Sequence, residues 1–112
     1  MNDALRRFQA GRLEIRPDEH AAIVDGRPLN LTVRELQLLI ALASRSDRIM
    51  SRNELYFTVW GRQPRNGDRS LDVYVSRLRS KLGMALPGQS FIHTHNGIGY
   101  RFSPGEGAER AA

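Results

Sequence analysis

The chain has 112 residues, of which 17 are Lys or Arg and 12 are Asp or Glu, so its formal net charge is +5. This length suits one domain with one core, and 40% hydrophobic with 26% charged residues excludes collagen-like, coiled-coil and wholly disordered chains. The absence of cysteine excludes disulfides, cysteine-ligated metals and thiolate catalysis. We expect a cytoplasmic protein, because no apolar run approaches the ~20 residues of a membrane span and no signal core is present.

The positive charge is concentrated in the second half of the chain. Residues 61–103 contain seven basic and two acidic residues, whereas residues 1–56 contain nine basic and eight acidic residues. Such asymmetry favours a face that binds a polyanion, and a merely soluble basic domain is the alternative.

The first part of the chain predicts a small antiparallel sheet. Residues 1–11 are polar and lack sustained periodicity, which indicates a linker or disordered end. Residues 12–16 alternate apolar and charged side chains, as a half-buried strand does, and residues 20–24 predict a second strand. Asp25 and Gly26 are typical of a two-residue hairpin turn into a third strand at residues 27–31.

Two capping boxes predict the first two helices. They begin at Thr32 and Ser51, and each places a hydroxyl and a glutamate where they can satisfy the free amides of a helix start. Apolar residues at helical spacing continue the first helix, and Gly61 ends the second. Residues 61–67 contain no aliphatic side chain, which predicts an exposed loop.

The third helix is predicted from Asp68, as its N-cap, to Gly83, as its stop. Its core-facing stripe at helical spacing consists of Leu71, Val75, Leu78 and Leu82. The opposite face offers arginines, short hydroxyls and one valine, namely Arg69, Val73, Ser76, Arg77 and Ser80. We expect Asp72 to brace Arg69 or Arg79 across one turn.

The end of the chain predicts a β-hairpin. Residues 91–94 and 100–102 indicate two strands around a tight Asn-Gly-Ile-Gly tip, and residues 104–112 have the composition of a disordered tail. The element order therefore indicates an α+β fold over residues 12–103: a winged helix-turn-helix with an N-terminal antiparallel sheet, three helices and a C-terminal β-hairpin wing.

Four segments in this order resemble the OmpR/PhoB family of response-regulator DNA-binding domains. They read LTVRELQLL, RIMSRNEL continuing to VWG, DRSLDVYVSRLR and GIGYRF, beginning at residues 31, 48, 68 and 97. The resemblance covers roughly residues 11–103. It implies a sequence-specific, double-stranded DNA-binding transcription regulator of bacterial two-component type that needs no cofactor.

The resemblance implies that the third helix lies in the major groove. The candidate contacts on this recognition helix are Arg69, Ser70, Val73, Tyr74, Ser76, Arg77, Arg79 and Ser80. By its chemistry, Arg77 can form a bidentate pair with guanine and Val73 can contact a thymine methyl. Ser76 stands at a position that is often basic in the family, and Tyr74 stands at one that is often histidine. We therefore expect a target DNA sequence that differs from the familiar ones of the family.

The resemblance also implies contacts with the DNA backbone and with the minor groove. The backbone candidates are Arg52, Trp60, Lys81, Thr94 and Tyr100. The wing tip consists of His95, Asn96 and Gly97, where Asn96 replaces the arginine that the family commonly inserts into the minor groove. Contacts of the backbone kind fix register and carry no sequence information.

The partners implied by the resemblance are RNA polymerase and a second copy of the chain. Head-to-tail dimers would bind direct repeats, and a polymerase-facing loop would use Arg62, Gln63 and Arg65. A receiver domain is missing, so the chain is either an excised C-terminal domain or a stand-alone homologue. The rival functions are an interaction module that mainly recruits polymerase or sigma factor with weak DNA binding, and a nonspecific nucleic-acid binder.

Catalysis and metal binding are not indicated. An enzyme would need a nucleophile with a base, or paired carboxylates in a pocket, and the sequence shows only scattered acids. The three histidines, His20, His93 and His95, lack ligand spacing and are expected to be ordinary strand residues.

Overall fold

The computed structural model describes residues 6–106, with side chains described up to residue 103. A four-stranded antiparallel sheet in the order β1-β2-β3-β4 opens the fold. Its strands are β1 (Phe8–Ala10), β2 (Leu13–Arg16), β3 (Ala21–Val24) and β4 (Arg27–Pro28), with a 3-10 turn over Pro17–Glu19. Asp25 and Gly26 both have positive φ, 52° and 79°, which confirms the predicted hairpin turn.

The expected linker over residues 1–11 is wrong in its second half. Phe8–Ala10 pairs with β2 as an edge strand, and Ala10 is buried. Arg7 forms ion pairs with two acidic residues of the 3-10 turn, which fastens the start of this strand. A three-residue strand is too short to show alternation in the sequence, and residues 1–5 lie outside the described part of the chain.

Three helices follow: α1 (Val33–Ala43), α2 (Arg52–Trp60) and α3 (Ser70–Ala85). The first capping box is confirmed, since the amide of Glu35 donates to Thr32 Oγ1 and the amide of Thr32 donates to Glu35 Oε1 at 2.8 Å. The second is half formed, because Ser51 Oγ accepts from the amide of Glu54, whereas the Glu54 carboxylate pairs with Arg45.

The predicted bounds of α3 need two corrections. Arg69 occupies the N-cap position, and Asp68 instead accepts a hydrogen bond from the amide of Ser70 at 2.8 Å. Gly83 lies inside the helix without the positive φ that a glycine stop requires. The helix continues because the apolar stripe extends one more turn to Leu86, which is fully buried.

A three-stranded sheet in the order β5-β7-β6 closes the fold, with β5 (Ile49–Ser51), β6 (Ser90–His95) and β7 (Gly99–Glu106). Sequence patterning missed β5, which is only three residues long. The disordered tail expected from residue 104 is wrong for residues 104–106, because β7 continues opposite β6 to a Ser90–Glu106 pair. Residues 107–112 lie outside the described part.

One core joins the two sheets and the three helices, and it confirms the predicted winged helix-turn-helix architecture. The wing is fixed to β5 by a close backbone approach at Gly99. A Cβ atom at this position would lie 1.9 Å from the carbonyl oxygen of Met50, so only glycine fits. Within residues 6–106, no helix is long and apolar enough to cross a bilayer.

Candidate nucleic-acid interface

The residues predicted for base readout lie together on the outer face of α3. The four residues of the predicted core stripe are all buried, which orients the helix and turns its other face to solvent. Five of the predicted contacts are exposed: Arg69, Val73, Ser76, Arg77 and Ser80. The other three, Ser70, Tyr74 and Arg79, are half-buried.

Asp72 does not brace Arg69 or Arg79, contrary to the expectation from helical spacing. Its carboxylate pairs with both terminal nitrogens of Arg52, at 2.7 Å for Nη2–Oδ2, and accepts from the Tyr100 hydroxyl at 2.5 Å. The Arg52 guanidinium outweighs the effect of burial and lowers the pKa of Asp72 from 3.8 to about 2. This bridge holds α2, α3 and β7 together.

The Asp72 bridge changes the expected role of two backbone contacts. Arg52 has both terminal nitrogens committed to Asp72, although 42% of its side chain is exposed. Tyr100 is only 6% exposed, and burial, followed by the hydrogen bond to Asp72, raises its pKa. Tyr100 is therefore a buried link between α3 and the wing, and we expect its hydroxyl to contribute little to the predicted contact with the DNA backbone.

Arg79 forms a second link between α3 and the wing. Its Nη2 donates to Thr94 Oγ1 at 2.6 Å, and its Nε donates to the carbonyl oxygen of Ile92 at 3.1 Å. The guanidinium carbon lies 5.5 Å from the centre of the Tyr100 ring. A guanidinium has five N–H donors, so these contacts leave others for a ligand at the exposed Thr94 edge.

The wing tip is a tight turn beside the Asp72 bridge. The amide of Ile98 donates to the carbonyl oxygen of His95 at 2.9 Å, and Gly97 adopts the positive φ of 78° that this turn requires. His95 is half-buried and its Nε2 accepts from Arg101 Nε at 3.1 Å. Asn96 and Gly97 are exposed at the end of the turn.

Lys81 is engaged away from the outer face of α3. Its Nζ donates to Glu35 Oε1 at 2.7 Å and to the carbonyl oxygen of Asn30 at 3.0 Å. Glu35 is 2% exposed; burial raises its pKa, but Lys81 and Thr32 more than offset this and lower the pKa overall. Because Lys81 neutralises a buried carboxylate, we expect its amine to contribute little to the predicted contact with the DNA backbone.

Three aromatic rings form a cluster between α2 and α3, which we call the aromatic cluster: Tyr56, Trp60 and Tyr74. Tyr56 stacks on Trp60 with ring centres 4.5 Å apart, and Trp60 meets Tyr74 edge to face at 5.7 Å. Guanidinium groups cover all three rings at 5.1 to 5.4 Å, from Arg34 over Trp60, Arg62 over Tyr56 and Arg77 over Tyr74.

The predicted polymerase-facing loop lies at the other end of the aromatic cluster. Arg62, Gln63 and Arg65 are all exposed. The loop closes where the Tyr56 hydroxyl donates to Asp68 at 2.6 Å, which lowers the pKa of Asp68 to about 2. Behind it is an open polar cavity of about 470 Å³ whose lining includes Gln63 and Arg65.

Sequence reasoning missed Arg34, which lies over Trp60 and donates to the carbonyl oxygen of Val59 at 2.8 Å. The two residues of this cation–π contact are on different helices, so no local spacing relates them. Among the described residues, no group of three or more His, Asp or Glu side chains could hold a metal ion.

Comparison with known proteins gives the chain its family. Residues 26–102 match the family described as "Transcriptional regulatory protein, C terminal". The chain is 33% identical over 94 residues to the sensory transduction protein RegX3 of Mycolicibacterium smegmatis, covering 84% of this chain and 41% of that protein. It is 32% identical over 96 residues to the phosphate regulon transcriptional regulatory protein PhoB of Pseudomonas aeruginosa, covering 86% and 41%. The chain thus spans about two fifths of these relatives.

Solved structures agree with this result. The DNA-binding domain of CpxR from E. coli superposes with a TM-score of 0.80 at 30% identity, covering 89% of this chain and 98% of that one. The Klebsiella pneumoniae RstA DNA-binding domain, solved in complex with the RstA box, superposes with a TM-score of 0.78 at 31% identity, covering 88% and 98%. The chain belongs to the family of C-terminal effector domains of OmpR/PhoB-type response regulators.

Proposed function

We propose that this chain binds double-stranded DNA sequence-specifically as the effector domain of a transcription regulator, without a catalytic step. The observation that carries the proposal is the outer face of α3, where Arg69 and Arg77 are exposed beside short hydroxyls. Asp72, an acidic residue on the same helix, is occupied by Arg52 and Tyr100. Family membership supports the proposal, because the related RstA domain was solved on its DNA box.

The proposed contacts divide into two sets by chemistry. Residues on the outer face of α3 read base edges in the major groove, with Arg77 directed at guanine and Val73 at a thymine methyl. The others are the exposed Arg69, Ser76 and Ser80 and the half-buried Ser70. Arg79, Thr94, Trp60 and the wing tip contact phosphates and sugars, which fixes the register of the domain. Arg52 offers its remaining N–H donors to a phosphate, because a guanidinium has five and Asp72 takes two.

Two alanine variants test the assignment of α3 to base readout. Arg77→Ala should lower discrimination at one base position by ~1 to 3 kcal/mol. Arg27→Ala is the matched control, because Arg27 is an exposed arginine on β4 of the N-terminal sheet. Titration of both variants on a specific and a random duplex measures the effect. Equal losses for the two variants on both duplexes would contradict the assignment of α3 to base readout.

We further propose that the loop carrying Arg62, Gln63 and Arg65 contacts RNA polymerase, and that two copies bind direct repeats head to tail. The exposure of both loop arginines supports the first part. The double variant Arg62→Ala/Arg65→Ala should keep duplex affinity and reduce polymerase association, both measurable by fluorescence anisotropy. Loss of duplex affinity with polymerase association retained would instead make the loop a phosphate clamp.

A further inference from the structure

The aromatic cluster places a ring under Arg77. Among the described contacts, no ring lies under Arg69, the other exposed arginine of the outer face. The guanidinium carbon of Arg77 lies 5.4 Å from the centre of the Tyr74 ring, one helical turn earlier on α3. Tyr74 is itself held by the edge of its ring against Trp60, at 5.7 Å and an interplanar angle of 69°. The side chain of Arg77 therefore packs on the Tyr74 ring, which Trp60 holds in place.

The contacts that hold Tyr74 continue through Trp60 to the buried Tyr56. Tyr56 is 2% exposed, stacks on Trp60 and donates a hydrogen bond to Asp68. On Trp60, Arg34 lies 5.1 Å from the ring centre, and its Nη1 is tied to the carbonyl oxygen of Val59. Because packed side chains sit in rotamer minima and interdigitate, these contacts favour the orientation in which the Tyr74 ring faces Arg77.

A fixed platform matters for a guanidinium that must read a base. An exposed arginine has large rotamer entropy, and stacking on a ring restricts it while leaving the N–H edge free to donate. Bidentate recognition of guanine needs two of these donors in one plane. We propose that Tyr74 is a specificity-determining positioning residue, which orients Arg77 toward one base pair through the face of its ring and makes no base contact of its own.

This proposal rests on the proposed DNA binding, and it predicts a ring requirement at position 74. Tyr74→Phe keeps the ring and should keep discrimination at the base pair read by Arg77 within about twofold. Tyr74→Leu removes the ring and should lower that discrimination about threefold to tenfold, the range expected for a partly exposed cation–π contact. Affinity for random duplex should change little in both variants, because phosphate attraction does not depend on the platform.

The measurement is a titration of each variant on the preferred duplex and on duplexes substituted at each base pair in turn. In an Arg77→Ala background, Tyr74→Leu should have no further effect on discrimination. Tyr74→Gln, which also removes the ring and places a good helix former at this half-buried position of α3, should reproduce the loss at the same base pair and serves if Tyr74→Leu does not fold. Thermal unfolding of each variant shows whether it is folded.

The possible outcomes separate this proposal from the proposed function. If the unmodified chain shows no discrimination between duplexes, sequence-specific binding fails before any variant is considered. If the chain discriminates and Tyr74→Phe loses as much as Tyr74→Leu, the hydroxyl is the active group and the platform is refuted. Unchanged or improved discrimination in folded Tyr74→Leu would also refute it, as would an equal loss on every duplex.

Discussion

Replacing Asp72 with asparagine removes the charge that joins α2, α3 and the wing while preserving the size of the side chain. The pKa of this carboxyl is lowered from 3.8 to about 2, and a difference of nearly two units corresponds to roughly 2.4 kcal/mol of folding stability at neutral pH. Because 42% of the Arg52 side chain is exposed, solvent screening reduces the expected loss in Asp72→Asn to about 1 to 2 kcal/mol.

The sign of the pH dependence follows from the direction of the shift. A carboxyl whose pKa is depressed by folding stabilises the fold above its ordinary pKa and loses this contribution as pH falls through the folded value. Urea unfolding should therefore give a gap between the unmodified chain and Asp72→Asn that is full at pH 7. The gap should shrink between about pH 4 and pH 2, where the carboxyl of the unmodified chain takes up a proton and becomes neutral, as position 72 of Asp72→Asn is at every pH.

A matched control separates this bridge from ordinary surface charge. Asp25 pairs with Arg12 on the N-terminal sheet, where about half of each side chain is exposed, and its positive φ of 52° is tolerated by asparagine. Asp25→Asn should give a smaller gap than Asp72→Asn at neutral pH. An Asp72→Asn gap that is absent at pH 7, or that keeps its full size down to pH 2, would refute the bridge as an electrostatic support.

Three further predictions concern residues outside the Asp72 bridge. Gly99→Ala should lower the melting temperature sharply, because its Cβ would lie 1.9 Å from a backbone oxygen of β5. Gly83→Ala meets open space inside α3 and should raise the free energy of unfolding by ~0.5 to 1 kcal/mol. Equal melting temperatures for the two variants would contradict this. Lys81→Met should lower the free energy of unfolding by about 2 to 3 kcal/mol by leaving Glu35 buried without its cation. The slope of log affinity against log salt concentration for duplex binding should not change in this variant. A slope smaller by about one would indicate that Lys81 contacts a phosphate. Asn96→Arg should tighten binding most on duplexes with an A·T run beside the sequence bound by α3, because a narrow minor groove attracts a cation. Equal affinity for duplexes with A·T-rich and G·C-rich flanking sequences would show that the wing does not enter the minor groove.

Local signals in the sequence predicted the parts of the fold that local chemistry decides. The capping box at Thr32 and the buried stripe of α3 depend on residues three or four positions apart, and both are confirmed. The partners of Asp72 could not be predicted in this way, because Arg52 and Tyr100 are 20 and 28 residues away along the chain. Helical spacing suggested a neighbour on α3, and tertiary packing supplied closer partners.

Glycine shows the same limit of local reasoning. The sequence predicts a helix stop at Gly83, but α3 continues beyond it because Leu86 is buried one turn later. The sequence places Gly99 in a turn, whereas the residue that requires a glycine there is Met50 of β5, a strand too short to predict. Five of the eight candidate contacts on α3 are exposed, because a strong apolar stripe determines which side of a helix remains outside.

Selection of bound sequences from a pool of random duplexes tests sequence-specific DNA binding most directly. The chain should enrich one sequence family, and its affinity for the enriched duplex should exceed that for a shuffled duplex of the same composition by about 10³-fold at physiological salt. Because phosphate attraction is identical in the two duplexes, this ratio isolates base readout from charge. A pool without an enriched sequence, or equal affinities for the enriched and the shuffled duplex, would contradict the proposed function.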